Sequence, residues 1–340
     1  MGAKEMRHAR WFLLPLLLYF LSLAAGHYLN GPKREAICAF INDAGAKGEP
    51  IIAALGSDDR YWHPAVSLFN LQGDSIRLFG RDRHCFAAIP FFDENGTLLF
   101  PGSSGEGDRY FTPNYCVSFP DFRIRRFSPP DLSNVGFRNI WCDSMEILSP
   151  SKWHLKSEPE RWIVTDLVNG EVHRFGIFGD HSWENSQYKQ YFLASDASAV
   201  VIKNHEGSGS SYALWRYHLA SNECNFITTM RIDYEQPVVV GPGGDVIGVY
   251  ASTTRFFDII FIDGRNGNVL ASERDAFRPA IGKRWAVCIS GFIYQNGPIV
   301  VFDMQDNWRR IQLNAIADYR PAIYEPPPNG LDGMLENYTE

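Results

Sequence analysis

A strand–turn–strand unit recurs along the second half of the chain and constrains its fold more than any other feature. In each copy, an apolar run is followed by a polar residue, a turn containing asparagine and a shorter run. The turn asparagines lie 53, 44 and 41 residues apart, at Asn169, Asn222, Asn266 and Asn307. Asparagine tolerates the positive φ angles of tight turns. Such a unit, repeated every ~40–50 residues, is typical of β-propeller blades.

The segment 237–271 shows the whole unit. Its apolar runs are separated by Gly and Asn, and they cover Pro237–Val240, Val246–Tyr250, Phe257–Ile262 and Val269–Ala271. Short runs of β-branched and aromatic residues with such boundaries predict strands joined by tight turns. The segment therefore predicts four antiparallel strands, which is the content of one propeller blade.

The repeat predicts the fold class of the whole chain. Hairpin patterns also fill residues 65–127, and the period across 45–315 predicts an all-β protein, a β-propeller of about six four-stranded blades. A β-sandwich or barrel with regular turns is the alternative. The predicted domains are a signal peptide or membrane anchor at 1–26, the propeller at 27–317 and a Pro-rich acidic tail at 318–340.

One pair of segments resembles a known family. Gly241–Tyr250 followed by Asp258–Asp263 resembles a repeat of the TolB-like, WD40-like propellers, in which a Ser-Pro-Asp-Gly-type turn precedes one strand and an Ile-Tyr-x-x-Asp-type strand follows. The resemblance covers roughly residues 140–315. The Gly-His and Trp-Asp pairs of WD40 repeats are missing. The resemblance implies a propeller fold, and the fold often serves binding in this family.

The N-terminus is patterned for export. Lys4, Arg7 and Arg10 precede residues 11–25, which carry no charge and end in small residues. A basic start, a short apolar core and a small-residue exit predict a secretory signal peptide. A spanning helix needs about 20 apolar residues, so a retained membrane anchor is the second interpretation and a buried helix is the third. The predicted location is periplasmic, extracellular or membrane-anchored.

Export permits disulfide bonds between the six cysteines. None has Cys-x-x-Cys spacing, so neither a zinc site nor a thioredoxin-like motif is indicated. Cys224 and Cys288 lie within strand patterns and are expected to be small buried side chains. Cys85, Cys116 and Cys142 are the disulfide candidates, and their pairing stays open.

Composition and motifs exclude several functions. A net charge of −7 and a pI near 5.7 argue against a nucleic-acid partner. The glycines from Gly241 to Gly248 precede a strand and not a helix, so they do not form a dinucleotide loop. The chain has no Gly-x-Ser-x-Gly elbow. No catalytic residue and no cofactor is therefore predicted.

One long connection carries mixed chemistry. Residues 176–190 place a carboxylate, an imidazole, an indole and a second carboxylate within a short stretch, at Asp180, His181, Trp183 and Glu184. The fold predicts that this connection shares a face with those holding His205, Glu206 and Arg255. We expect these seven residues to form a binding site there. The alternative is a solvated loop with Trp183 packed down as a lid.

These observations favour an exported, non-catalytic propeller that binds or scaffolds a protein or glycan partner. The alternative is an exported hydrolase, lactonase or lyase with Ca²⁺ or Zn²⁺ in the central channel. The alternative requires polar side chains that converge from several blades, which a fold prediction alone does not supply.

Overall fold

The computed structural model gives the fold over most of the repeat region. The residues it describes are 35–56, 65–77, 91–92, 97–103, 111–118, 123–126, 153–158, 161–166, 171–176, 189–205, 211–233, 238–252, 257–291, 297–317 and 321–326.

One helix, α1, covers residues 35–47 and precedes the first strand. Ile37, Ile41 and Ala44 are buried, and their spacing places them on one face of the helix. Gly48 ends the helix with a φ of 64°. The N–H of Glu49 then donates to the carbonyl of Ala44 at 2.9 Å, which is the glycine-terminated C-cap expected at such an end. Among the described residues, no helix is long and apolar enough to cross a membrane.

The described strands form six antiparallel sheets, numbered here in chain order. Sheet 1 contains β1 Ile51–Gly56, β2 Ala65–Phe69, β3 Ser75–Arg77 and β23 Ala322–Tyr324. Sheet 2 contains β4 Phe91–Phe92, β5 Thr97–Ser103, β6 Phe111–Ser118 and β7 Arg123–Arg126. Sheet 3 has three described strands, β8 Trp153–Glu158, β9 Arg161–Asp166 and β10 Val172–Gly176.

The other three sheets have four strands each. Sheet 4 contains β11 Lys189–Leu193, β12 Ala199–His205, β13 Ser211–His218 and β14 Cys224–Arg231. Sheet 5 contains β15 Val239–Val240, β16 Val246–Ser252, β17 Phe257–Asp263 and β18 Val269–Glu273. Sheet 6 contains β19 Ala276–Ile281, β20 Trp285–Ser290, β21 Gly297–Asp303 and β22 Arg309–Ala317.

Sheets 2 to 6 are each built from strands that are consecutive in the chain, whereas sheet 1 takes a strand from both ends. Strand β23 pairs antiparallel with β1, so that Ile51 faces Tyr324 and Ala53 faces Ala322. The prediction of a tail at 318–340 is therefore wrong for residues 322–324, because these residues form a strand that completes the first sheet. Sheet 1 therefore combines strands that are separated by most of the described sequence.

Neighbouring sheets pack face to face in chain order. Strand β11 contacts β8 and β15, β19 contacts β16 and β17, and β23 contacts β20 and β4. These contacts join sheets 3, 4, 5, 6, 1 and 2 in that order. Apolar side chains fill the spaces between them; Trp162, Val201 and Phe261, for example, are fully buried. The sheet order and packing confirm the predicted all-β class.

The strands of all four predicted outer hairpins are described and pair as predicted, β9 with β10 among them, and the turns of three hairpins are also described. They join β13 to β14, β17 to β18 and β21 to β22. Asn222 and Asn307 have φ angles of 63° and 49°, and Gly267 has a φ of 73° beside Asn266. The residue types predicted these turns because all three tolerate positive φ. Asn169 lies outside the described residues.

Candidate functional site

Strand register assigns the connections of the central sheets to two opposite faces. In sheet 4, Lys189 faces Asn204, and Ser211 faces Arg231, so the start of β11, the end of β12, the start of β13 and the end of β14 share one end. We call this end, together with the corresponding ends of sheets 5 and 6, the entry face. The hairpin turns lie at the other end, which we call the turn face. The connections 177–188, 206–210 and 253–256 all begin and end at strand ends of the entry-face type.

Only one of the seven predicted site residues belongs to the described residues. Asp180, His181, Trp183, Glu184, Glu206 and Arg255 lie outside them. His205 is described, and it is the last residue of β12 at the entry face. Its imidazole is half-buried and meets the ring of Tyr212 edge-on, with 5.1 Å between the ring centroids. The register pairs the same two residues, so the neighbouring strand fixes the orientation of the imidazole.

Beside His205, the structure shows a buried lysine that the sequence prediction missed. Lys203 is fully buried, and its Nζ donates to the main-chain carbonyl of Asp233 at 2.7 Å. Its ammonium also lies 4.8 Å from the centre of the Tyr212 ring. Burial lowers the pKa of Lys203 to about 8, against the opposing effect of the Asp233 carboxylate. The available signal was a lysine directly after the run Ala199–Ile202 in a predicted strand.

Asp233 continues this line of contacts into the next two sheets. Its N–H donates to the main-chain carbonyl of Tyr250 at 3.0 Å, which joins sheet 4 to sheet 5. The phenol oxygen of Tyr250 in turn accepts a hydrogen bond from the N–H of Arg278 at 2.8 Å, which joins sheet 5 to sheet 6. Because Tyr250 is buried, this polar chain is shielded from water and holds three sheets in a fixed relation.

Two buried acceptors near Lys203 have no donor among the described residues. They are Oε1 of Gln190, which faces Lys203 across the strand pair, and Oδ1 of Asn204. Buried polar atoms normally find a hydrogen-bond partner. Lysine, imidazole, phenol and amide groups are thus gathered at this end of sheet 4.

The described residues contain no group of three His, Cys, Asp or Glu side chains placed to hold a metal ion. Of the disulfide candidates, Cys85 and Cys142 lie outside the described residues, and Cys116 is described only as part of strand β6. Cys288 is a buried thiol, as expected, whereas the Cys224 side chain is only half-buried. Burial raises the pKa of the Cys288 thiol, which keeps it protonated.

The turn face has a different character, because several of its charged groups are paired with one another. Asp303 is fully buried and accepts two hydrogen bonds from the guanidinium of Arg284, at 2.7 and 3.1 Å. Asp245 forms ion pairs with both Arg216 and Arg265, at 3.0 and 3.1 Å. These contacts bind turns to neighbouring strands and sheets, so these charged groups help to hold the fold together.

Comparisons with known proteins show similarity in structure alone. No model of a known protein family matches the sequence, and no curated protein matches it. The chain is similar to TolB from Acinetobacter baumannii, with 12% identity, 81% of this chain and 66% of the TolB chain covered, and a TM-score of 0.49. It is also similar to a chain of the nidogen/laminin complex, with 7% identity, coverage of 81% and 97%, and a TM-score of 0.46. The propeller resemblance inferred from the repeat agrees with these matches, while the fold itself rests on the sheet order and register given above.

Proposed function

We propose that this protein is a binding module whose entry face holds a protein or glycan partner. The observation that carries the proposal is the contrast between the two faces. At the turn face, Asp245 and Asp303 pair with arginines, whereas at the entry face Gln190 and Asn204 keep buried acceptors without a donor from the described residues. Binding surfaces need such groups, held in fixed positions and able to exchange partners.

The proposed site extends from His205 to the residues predicted from the sequence. Asp180, His181, Trp183 and Glu184 belong to the connection that leads into β11, and Glu206 follows His205 directly. Arg255 belongs to the connection between β16 and β17. Long connections that carry mixed chemistry at one face of a rigid scaffold are often binding loops. Trp183 and Arg255 are of the residue types that most often anchor a partner.

The proposal includes two further features of the molecule. The first is a closed ring of six blades, in which sheets 2 and 3 also pack against each other. We infer this contact because the apolar faces of these two sheets would otherwise be exposed to water. The second is export, directed by residues 1–26, with the mature chain starting near Ala25 or His27. Sequencing the N-terminus of the protein purified from its source tests export, and an intact Met1 on cytosolic protein contradicts it.

Site-specific photo-cross-linking tests the binding function directly. A benzophenone amino acid replaces His205 at the entry face in one variant and Glu223, an exposed residue of the turn face, in a matched control. After irradiation of living source cells, we expect a defined cross-linked product from position 205 and none from position 223. Products from both positions, or from position 223 alone, contradict the proposal.

Elemental analysis of the purified protein separates this function from the enzyme alternative. A hydrolase, lactonase or lyase of the kind considered above needs a tightly held Ca²⁺ or Zn²⁺ ion at its centre. A binding module is expected to be stable and to bind its partner after exhaustive dialysis against a chelator. One equivalent of tightly held metal in the purified protein would favour the enzyme.

A further inference from the structure

One residue of the innermost strand of sheet 6 has a backbone conformation that its type disfavours. Six described non-glycine residues have positive φ angles, and five of these lie in turns or connections. Arg278 is the exception, because it lies inside strand β19 with a φ of 57°. A residue with a bulky side chain is strained in this region of φ, and Pro279 restricts the backbone angles of the preceding residue further.

Neighbouring groups hold Arg278 in this conformation. The ladder between β19 and β20 shifts register between Phe277 and Ala280, so Arg278 lies within a bulge. Its N–H is turned toward sheet 5, where it donates to the phenol oxygen of Tyr250 at 2.8 Å. Its guanidinium carbon lies 5.1 Å from the centre of the Phe277 ring. The aromatic ring therefore restricts the guanidinium as the bulge restricts the backbone.

Strain of this kind is kept where the surroundings over-determine it, and it is concentrated at ligand-binding positions. The five other positive-φ residues need no such explanation, since turns require that conformation. Glycine or asparagine would meet the backbone requirement at 278 more easily than arginine does. The side chain of Arg278, and not only its backbone, is therefore expected to contribute something to the protein.

We propose that Arg278 binds an oxyanion group of the partner at the inner end of the entry face. This inference rests on the proposed function and names the partner's chemistry. Guanidinium presents a planar fork of donors that matches carboxylate, phosphate or sulfate, and lysine cannot reproduce that geometry. Tyr250 links Arg278 to Asp233, and Asp233 accepts from Lys203, so the same polar chain fixes this residue relative to the end of sheet 4.

Binding of simple oxyanions tests the proposal while the partner itself is still unidentified. Thermal unfolding of the full-length protein is followed in sodium phosphate and in sodium acetate, each against sodium chloride of the same ionic strength. A ligand that binds only the folded state raises the Tm in proportion to its affinity. We expect a phosphate- or acetate-dependent rise for the wild type, and the more effective ion shows whether the natural group resembles phosphate or carboxylate.

Substitution of Arg278 assigns the effect to this residue. Arg278→Gly should remove the ion-dependent rise in Tm, which corresponds to a loss of affinity for the ion of at least about tenfold. In chloride, this variant should unfold at the same Tm as the wild type or at a higher one, because glycine relieves the backbone strain. Arg278→Asn provides a second variant that tolerates positive φ, and Arg278→Lys should keep only part of the rise. The matched control is Arg274→Ala, which removes an exposed arginine just before the same strand.

Three results overturn the proposal. They are a wild type that responds to neither ion, an Arg278→Gly protein that responds as the wild type does, and an equal loss in Arg274→Ala. Partner capture separates this inference from the proposed function. If the cross-link from position 205 persists with unchanged affinity in Arg278→Gly, the oxyanion site is wrong and the binding module stands. If position 205 captures nothing, the proposed function fails whatever the ions do.

Discussion

The ammonium of Lys203 donates to the main-chain carbonyl of Asp233 at 2.7 Å, in a place where no part of the lysine is exposed. A strand lysine of sheet 4 thus holds the connection that leads into sheet 5. Burial removes the lysine charge from water, which costs free energy. The carbonyl, the Tyr212 ring and the more distant Asp233 carboxylate offset part of this cost. The buried charge therefore lowers the stability of the folded protein by an amount that depends on pH.

The first prediction is that this cost disappears at alkaline pH. The pKa of Lys203 is about 8 in the folded protein, below its ordinary value of 10.5, so the unfolded chain binds the proton more tightly. Stability should therefore rise as the pH increases through this interval, by about 2–3 kcal/mol between pH 7 and pH 10. The measurement is urea unfolding of the wild type and of Lys203→Met at both pH values. The Met variant lacks this proton but shares the other titrating groups, so parallel pH profiles of the two proteins would contradict the assignment.

A second prediction concerns packing between sheets 5 and 6. Phe261 is fully buried, and its ring lies 5.4 Å from that of Phe302 and 5.3 Å from that of Trp308. Phe261→Ala should lower the free energy of unfolding by about 3–5 kcal/mol, because the cavity lies in a rigid interface. Chemical denaturation measures the loss. Val269→Ala, at a position that is 62% exposed, is the control and should change little; a similar loss in both variants would mean that Phe261 is not a core residue.

The third prediction concerns the buried ion pair of the turn face. Arg284 holds the pKa of the Asp303 carboxyl below its ordinary value, so the pair stabilises the fold above about pH 4 and the contribution is lost as the pH falls. Asp303→Ala should cost about 3 kcal/mol or more at pH 7, since it leaves Arg284 without its partner. Removing the exposed pair Lys47–Asp43 by Asp43→Ala should have little effect on stability, because water and salt screen an exposed ion pair. Equal costs for the two substitutions, measured by urea unfolding, would refute the distinction.

The fourth prediction tests the outer hairpins. Gly267 has a φ of 73°, and a Cβ there would lie 2.5 Å from Cβ of Thr228 on the neighbouring sheet. Gly267→Ala should therefore destabilise the protein by more than about 1 kcal/mol. Asn222→Gly, at another outer turn with positive φ, should be neutral within a few tenths of a kcal/mol, because glycine accepts that conformation. Differential scanning calorimetry compares the two, and a harmless Gly267→Ala would show that the turn is not packed as described.

The sequence predicted these hairpins because their signals are local. Asn222, Asn266 and Asn307 stand where backbone conformation alone selects the residue type, and apolar runs flank them on both sides. The predicted site depended in the same way on a local cluster, from Asp180 to Glu184, which lies outside the described residues.

Other features depend on contacts between distant parts of the chain and left no local pattern. Strand β23 spans only Ala322–Tyr324, and pairing with β1 is what makes it a strand. Arg278 has no intrinsic preference for positive φ, so its conformation is imposed by the bulge and by Tyr250. Lys203 did leave a signal, but its burial became visible only with Asp233 and Tyr212 in place.

The affinity of the cross-linked partner for entry-face variants tests the central claim most directly. Once the partner is identified from position 205, its Kd is measured for the wild type, for His181→Ala with Trp183→Ala, and for Glu223→Ala at the turn face. We expect the double variant to lose binding by at least about a hundredfold while its Tm stays within a degree or two of the wild type, and Glu223→Ala to bind normally. Unchanged affinity in the double variant, or a matching loss in Glu223→Ala, would contradict binding at this face.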